Sequence, residues 1–289
     1  MNRRTTFGLT ISVGACAFFT TSALAQEALL ERGRYLVDSV MACDGCHTPR
    51  GAEGQEFDMS RRFGGGYQVW ETPSYLVRGS NISSDRETGI GGWSADDLKR
   101  LMTQGIRPNG IPVVAQMPYP FYKVLTARDA DAVATYIKSV APVRSEVSAP
   151  VYRGQSQNYV IPGGEKPFNE EMLKDPVKRG YYLANLAHCM ECHARTPDGK
   201  QDYMNWWGRG GAIFKGPKGQ VKAANITSHK TAGVGSWTDA EIRRTLTHGV
   251  GRDGRPLVQQ MQRQIYFAKM TDQDLDAIVA WVRTIPPQE

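Results

Sequence analysis

The chain has 289 residues, long for one domain and comfortable for two. Its 40% hydrophobic and 22% charged content is that of a soluble globular protein, which argues against a disordered or membrane-embedded chain. The formal net charge of +6 is not gathered into a basic stripe interleaved with aromatics, so nucleic acid is not expected as a partner.

The elements follow in chain order. Arg3 and Arg4 precede an apolar run from Phe7 to Phe19, and Ala23-Leu24-Ala25 supplies a cleavage pattern. Residues 1–25 therefore read as a secretory signal peptide that directs the chain to the periplasm, with a mature start near Gln26. The apolar run is shorter than the ~20 residues that span a bilayer. A weaker rival is lipid attachment at Cys16, after Val13-Gly14-Ala15. Nothing after residue 26 reads as a transmembrane helix, so membrane association is expected only through a partner or a lipid.

A helix is expected from Leu29 to Met41, leading into Cys43-Asp44-Gly45-Cys46-His47, and a long Gly-rich loop follows. Ser94-x-x-Asp97 has the form of a capping box and starts a short helix. A last helix begins after Thr126, with Val133, Tyr136, Ile137 and Val140 on one face. From Ala141 to Pro176 prolines and glycines accumulate without hydrophobic periodicity, which reads as an extended surface connector over 142–176.

Then the pattern starts again. A helix from Val177 to His188 leads into Cys189-Met190-Glu191-Cys192-His193. Thr238-x-x-Glu241 opens a short helix, and Thr271 opens a last one whose stripe is Ile278, Trp281, Val282 and Ile285. Asn81-Ile82-Ser83-Ser84 recurs as Asn225-Ile226-Thr227-Ser228 at an offset of 144 residues, and Gly105, Gly110 and Met117 recur as Gly249, Gly254 and Met261 at the same offset. Repeats of this length predict two copies of one unit, at 27–141 and 177–286. The fold class is mainly α.

Both cysteine motifs are C-x-x-C-H, the attachment signature of c-type haem. Two intervening residues let one helical turn present both thiols along one porphyrin edge, with the following imidazole beneath the ring. A thioredoxin-like site would need a βαβ context, and a zinc site about four ligands in tetrahedral array. The pairs instead sit at equivalent points of separate repeats. Two covalently bound haem c groups are therefore expected, on Cys43 and Cys46 and on Cys189 and Cys192, with His47 and His193 as iron ligands. Met117 and Met261 are the expected sixth ligands, because they match in the repeat whereas Met59, Met102, Met204 and Met270 do not. His188, His229 and His248 read as surface or supporting residues. Each ligating imidazole needs a partner for its other nitrogen, and the backbone carbonyl of Pro49 or Pro197 is a candidate. Trp93, Trp237, Tyr122 and Tyr266 are candidates for the crevice wall.

With these residues in hand, each half resembles a mono-haem cytochrome c domain. Gly33-Arg34-Tyr35-Leu36 and Gly180-Tyr181-Tyr182-Leu183 precede the motifs, and the Asn-Ile stretch and the Gly-rich Trp turn follow them. Together these are similar to the multihaem cytochrome c subunits of membrane-bound bacterial alcohol, aldehyde and gluconate dehydrogenases. The resemblance implies electron transfer from a dehydrogenase catalytic subunit to a respiratory acceptor at the outer face of the inner membrane, with no catalytic residue in this chain. It also implies that Gly33 meets Tyr136 and Gly180 meets Trp281. The alternative is a dihaem enzyme such as a thiosulfate dehydrogenase or a peroxidase, which would need one labile iron ligand.

Overall fold

Two helices, each crossed by a helix from about 100 residues further on, organise the structure. The computed structural model describes residues 15–51, 56–154, 159–216, 219–257, 261 and 263–289. Most of the apolar run of the expected signal peptide lies outside them.

The first set of elements comprises α1 (Ala15–Tyr35), continued by a π-helical turn over Leu36–Met41, then α2 (Asp44–His47), the antiparallel strands β1 (Val69–Glu71) and β2 (Tyr75–Arg78), α3 (Ala95–Gln104), α4 (Tyr119–Tyr122) and α5 (Ala127–Ser139). A short strand β3 (Val151–Tyr152) adds antiparallel to β2. The second set comprises α6 (Pro176–Leu186), α7 (Met190–His193), the hairpin strands β4 (Ile213–Gly216) and β5 (Gly219–Lys222), α8 (Asp239–His248), α9 (Gln264–Phe267) and α10 (Asp272–Thr284). The order of helices is the same in both sets.

Local sequence explains the helix ends. Ser94 accepts from the Asp97 amide while Asp97 reaches back to the Ser94 amide, and Thr238 and Glu241 repeat this reciprocal cap. Each such cap is worth about 1 kcal/mol. Both helices stop at a left-handed glycine, Gly105 at φ 71° and Gly249 at φ 65°. Thr126 and Thr271 cap α5 and α10 through the amides of Asp129 and Asp274.

Close approach of backbones sets the main crossings. A methyl group on Gly33 would lie 2.0 Å from the Ala132 carbonyl oxygen and 2.7 Å from Tyr136 Cβ; one on Gly180 would lie 1.9 Å from the Ala277 oxygen and 2.7 Å from Trp281 Cβ. Glycine alone permits α1 to lie on α5, and α6 on α10, at these distances. Gly33 thus meets Tyr136 and Gly180 meets Trp281, as the resemblance implies. Buried Val133 and Ile137, and Ile278 and Val282, line the same crossings.

Three features depart from the sequence expectation. The Gly-rich loops carry the short strands β1–β2 and β4–β5, which are too brief to show a period of two. The first half contains one residue more than the second between the paired tyrosines (Tyr35, Tyr182) and the first cysteine, and the π-helical turn absorbs it. The 142–176 connector is not merely an extended surface strap. Its Ile161 and Phe168 are buried, and Phe168 donates its amide to Val124 while its ring lies 5.9 Å from Tyr181 and 5.8 Å from Tyr182. The connector therefore fastens the first set of helices to the second.

The two sets also meet directly. Phe121 packs edge-on against Tyr203 at 5.4 Å, and Phe57 lies 6.3 Å from Tyr266. Two buried carboxylates bind the sets reciprocally. Asp129 of α5 accepts from Arg32 of its own set and from the Tyr182 phenol of the other. Asp274 of α10 accepts from Arg179 of its own set and from the Tyr35 phenol of the other. No helix among the described residues is long and apolar enough to cross a membrane.

Candidate haem-attachment sites

Each C-x-x-C-H segment forms a single helical turn. The His47 amide donates to the Cys43 carbonyl at 3.0 Å, and the His193 amide donates to the Cys189 carbonyl at 3.2 Å. The residue before each turn is left-handed, Ala42 at φ 55° and His188 at φ 44°. This breaks the preceding helix and re-aims the chain, so the two thiols project from a short turn of their own. The four cysteines are unpaired thiols. Burial pushes Cys46, Cys189 and Cys192 up to about 11 and Cys43 higher still. Among the described residues no group of three or more His, Cys, Asp and Glu side chains is arranged to hold a metal ion.

The imidazoles are held by main chain. His47 Nδ1 lies 2.8 Å from the Ser80 carbonyl oxygen, and His193 Nδ1 lies 2.7 Å from that of Ala224. A carbonyl only accepts, so Nδ1 carries the proton and Nε2 keeps its lone pair for iron. The residues present thus fit haem c: two thiols on one turn, and an oriented neutral imidazole beside them. Burial holds both imidazoles below the ordinary histidine pKa, and the carbonyl contact opposes it.

The observed carbonyl acceptors, on Ser80 and Ala224, correct the expectation of Pro49 and Pro197. The Pro49 oxygen accepts from the Asp58 amide instead. Ser80 and Ala224 come directly before Asn81 and Asn225, which explains the repeated Asn-Ile stretch. Asn81 Oδ1 accepts from the Ser83 amide, and its Nδ2 donates to the Val143 carbonyl beyond α5. Asn225 does the same with the Thr227 amide and the Gln288 carbonyl beyond α10. The asparagine therefore ties the carbonyl-bearing loop to the chain that follows the last helix. The Gly-rich segments complete the cradle, with the Gly65 amide donating to the His47 carbonyl and the Gly210 amide to the His193 carbonyl.

Met117 is partly buried against the core, in a turn before α4 whose amide donates to the Val114 carbonyl. Met261 occupies the matching place before α9, partly buried, with its carbonyl accepting from Arg263. Met102 and Met270 are core residues, and Met59 and Met204 are exposed. Among the other histidines, His188 Nδ1 contacts the Glu191 carboxylate at 2.8 Å, His229 accepts from the Thr231 and Ala232 amides, and His248 is exposed. Tyr122 and Tyr266 are buried, Trp93 and Trp237 partly so. Tyr266 does more than wall its own half: its hydroxyl lies 3.8 Å from where a Cβ on Gly45, in the other attachment turn, would stand. The Tyr266 hydroxyl has no protein partner.

Residues 177–286 match the family model described as Cytochrome c. The chain is 30% identical to the gluconate 2-dehydrogenase cytochrome c subunit of Pantoea cypripedii over 251 residues, covering 78% of this chain and 52% of that protein. It is 28% identical to the fructose dehydrogenase cytochrome subunit of Gluconobacter japonicus over 280 residues, covering 92% of this chain and 54% of that protein. It is 26% identical to a diheme cytochrome c-type protein of Cereibacter sphaeroides over 257 residues, covering 86% and 83%. The chain spans about half the length of the first two relatives. Residues 177–286 are thus a cytochrome c domain, in a chain that resembles the cytochrome c subunits of gluconate and fructose dehydrogenases.

Proposed function

We propose that the chain is an exported dihaem cytochrome c that takes electrons from the catalytic subunit of a dehydrogenase and delivers them to a respiratory acceptor in the periplasm. Two tandem cytochrome c domains, 27–141 and 177–286, each hold one haem. Cys43 and Cys46 anchor the first, and Cys189 and Cys192 the second. His47 with Met117, and His193 with Met261, would ligate the two irons. When bound, the haem supplies a one-electron iron couple, and a Met/His pair closes that iron to substrates. The protein's part is to fix the two thioether points, to hold each imidazole through Ser80 or Ala224, and to exclude water with Tyr122 and Tyr266.

The observation that carries this reading is the matched pair of attachment turns, each with its histidine held through Nδ1 by a main-chain carbonyl. The names of the relatives support the dehydrogenase partner. The test is twofold. A haemochrome assay on denatured, acid-extracted protein should give two covalent haems per chain. Isolated protein mixed with alcohols, aldehydes, sugar acids or thiosulfate should stay oxidised until a dehydrogenase subunit is added. Rapid reduction by any of these alone would sink the carrier reading in favour of a dihaem enzyme.

A further inference from the structure

The two attachment sites are alike in ligands and unlike in charge. His47 and His193 are held by the same kind of carbonyl at 2.8 and 2.7 Å, and the proposed sixth ligands are both methionine. Axial ligands and imidazole hydrogen bonds therefore do not separate the two. What remains to set them apart is local charge and burial.

Beside the first turn lies a cluster with no counterpart in the second half. Arg62 donates to Asp44 through Nε and Nη2, to Asp38 through Nη2 and to the Tyr136 hydroxyl through Nη1; Tyr136 in turn donates to Asp38. Thr48 donates to Asp44 as well. Asp44 sits between the two cysteines in sequence, and its side chain is 9% exposed. The cluster holds two carboxylates against one guanidinium, a net negative charge.

At matching places the second half has Asn185 for Asp38, Met190 for Asp44, Trp207 for Arg62 and Trp281 for Tyr136. Asn185 is buried and donates to the Tyr181 carbonyl. Glu191, beside the second cysteine of that turn, is contacted by His188 and faces Arg195 and Arg263.

Burial acts in the same direction. His193 is 6% exposed and His47 only half-buried. A drier site disfavours the more highly charged ferric state, and a neighbouring net negative charge favours it. We propose that the Asp38–Asp44–Arg62 cluster makes the site at His47 the lower-potential one, so that an electron shared by the two sites rests mainly at His193 and the chain is polarised from its N-terminal half to its C-terminal half. This rests on the dihaem reading above.

The test is an optical redox titration of the full-length holoprotein, resolved into two one-electron waves. Asp44→Asn keeps the shape, leaves one oxygen to accept from Arg62 and Thr48, and removes one charge. It should raise the lower wave by about 59 mV, a tenfold change in its reduction equilibrium, and leave the upper wave in place. Asp38→Asn should move the same wave in the same direction, and stands in if Asp44→Asn loads haem poorly. Asn185→Asp should lower the upper wave. Movement of the upper wave by either aspartate variant, or of neither wave, overturns the proposal while the two-haem reading stands. A haemochrome count of one overturns both together.

Discussion

The Tyr182 phenol donates to Asp129 Oδ2 at 2.7 Å, joining two helices from opposite halves of the chain at a carboxylate that is 2% exposed. Tyr35 repays the contact by donating to Asp274 Oδ2 at 2.5 Å. Each aspartate is neutralised from its own side, by Arg32 or Arg179, and bonded by a tyrosine from the other. A buried carboxylate that loses one donor is left with an unmet acceptor, and hydrogen bonds to charged groups contribute about 1.5–3 kcal/mol. Tyr182→Phe should therefore destabilise the protein by about 2 kcal/mol in urea denaturation. Tyr35→Phe should do the same, and the double variant should separate the halves into two transitions. An unchanged single transition in the double variant would show that these two hydrogen bonds are not what joins the halves.

The same pair predicts an alkaline limit. Burial, reinforced by Asp274, pushes Tyr35 up to about 12, and Tyr182 is raised as well by burial and Asp129. A raised folded-state pKa means that the unfolded chain loses its proton first, near pH 10. The contribution is complete below pH 10 and is lost as the pH rises toward 12. Chemical denaturation midpoints should fall over that window, and the fall should be smaller in the double Phe variant.

Gly33→Ala and Gly180→Ala should be among the most damaging single changes. The added methyl would stand 2.0 or 1.9 Å from a main-chain carbonyl oxygen, and a backbone atom cannot swing aside as a side chain can. The helices must part, at a cost of about 1–3 kcal/mol or more. Melting temperature and covalent haem yield should both fall. A control at Gly110, whose added Cβ meets nothing within 4 Å, should lose far less, its cost being the strain of a left-handed φ of 80°.

Legibility from sequence followed physical range. The caps at Ser94 and Thr238 and the stripes on α5 and α10 were readable because their partners lie three or four residues away. The attachment turns were readable because the chemistry fixes residue type and spacing together. The carbonyls of Ser80 and Ala224 were not, since a main-chain oxygen has no residue signature. The repeated asparagine after each was the available signal. The Tyr35–Asp274 bond joins residues 239 apart, and a tyrosine on an apolar helix face reads as core. The π-helical turn also left a trace, in the repeat offset that slips by one residue between the paired tyrosines and the cysteines.

The methionines supply the sharpest remaining test. Met117 and Met261 lie at equivalent turns, each just ahead of a short helix, and each is partly buried, as a thioether facing a haem would be. If they close the two irons, wild-type protein should be low-spin at both sites and bind no carbon monoxide in the reduced state. Met117→Ala should open one iron, so that carbon monoxide binds at half the haem content and the methionine–iron charge-transfer band falls by about half. Met261→Ala should open the other, and the double variant should bind at both. Exposed Met204, changed to Ala, should alter neither signal. Carbon monoxide binding by the wild type at one haem would instead identify a site with a labile ligand, which is what an enzyme on this scaffold requires.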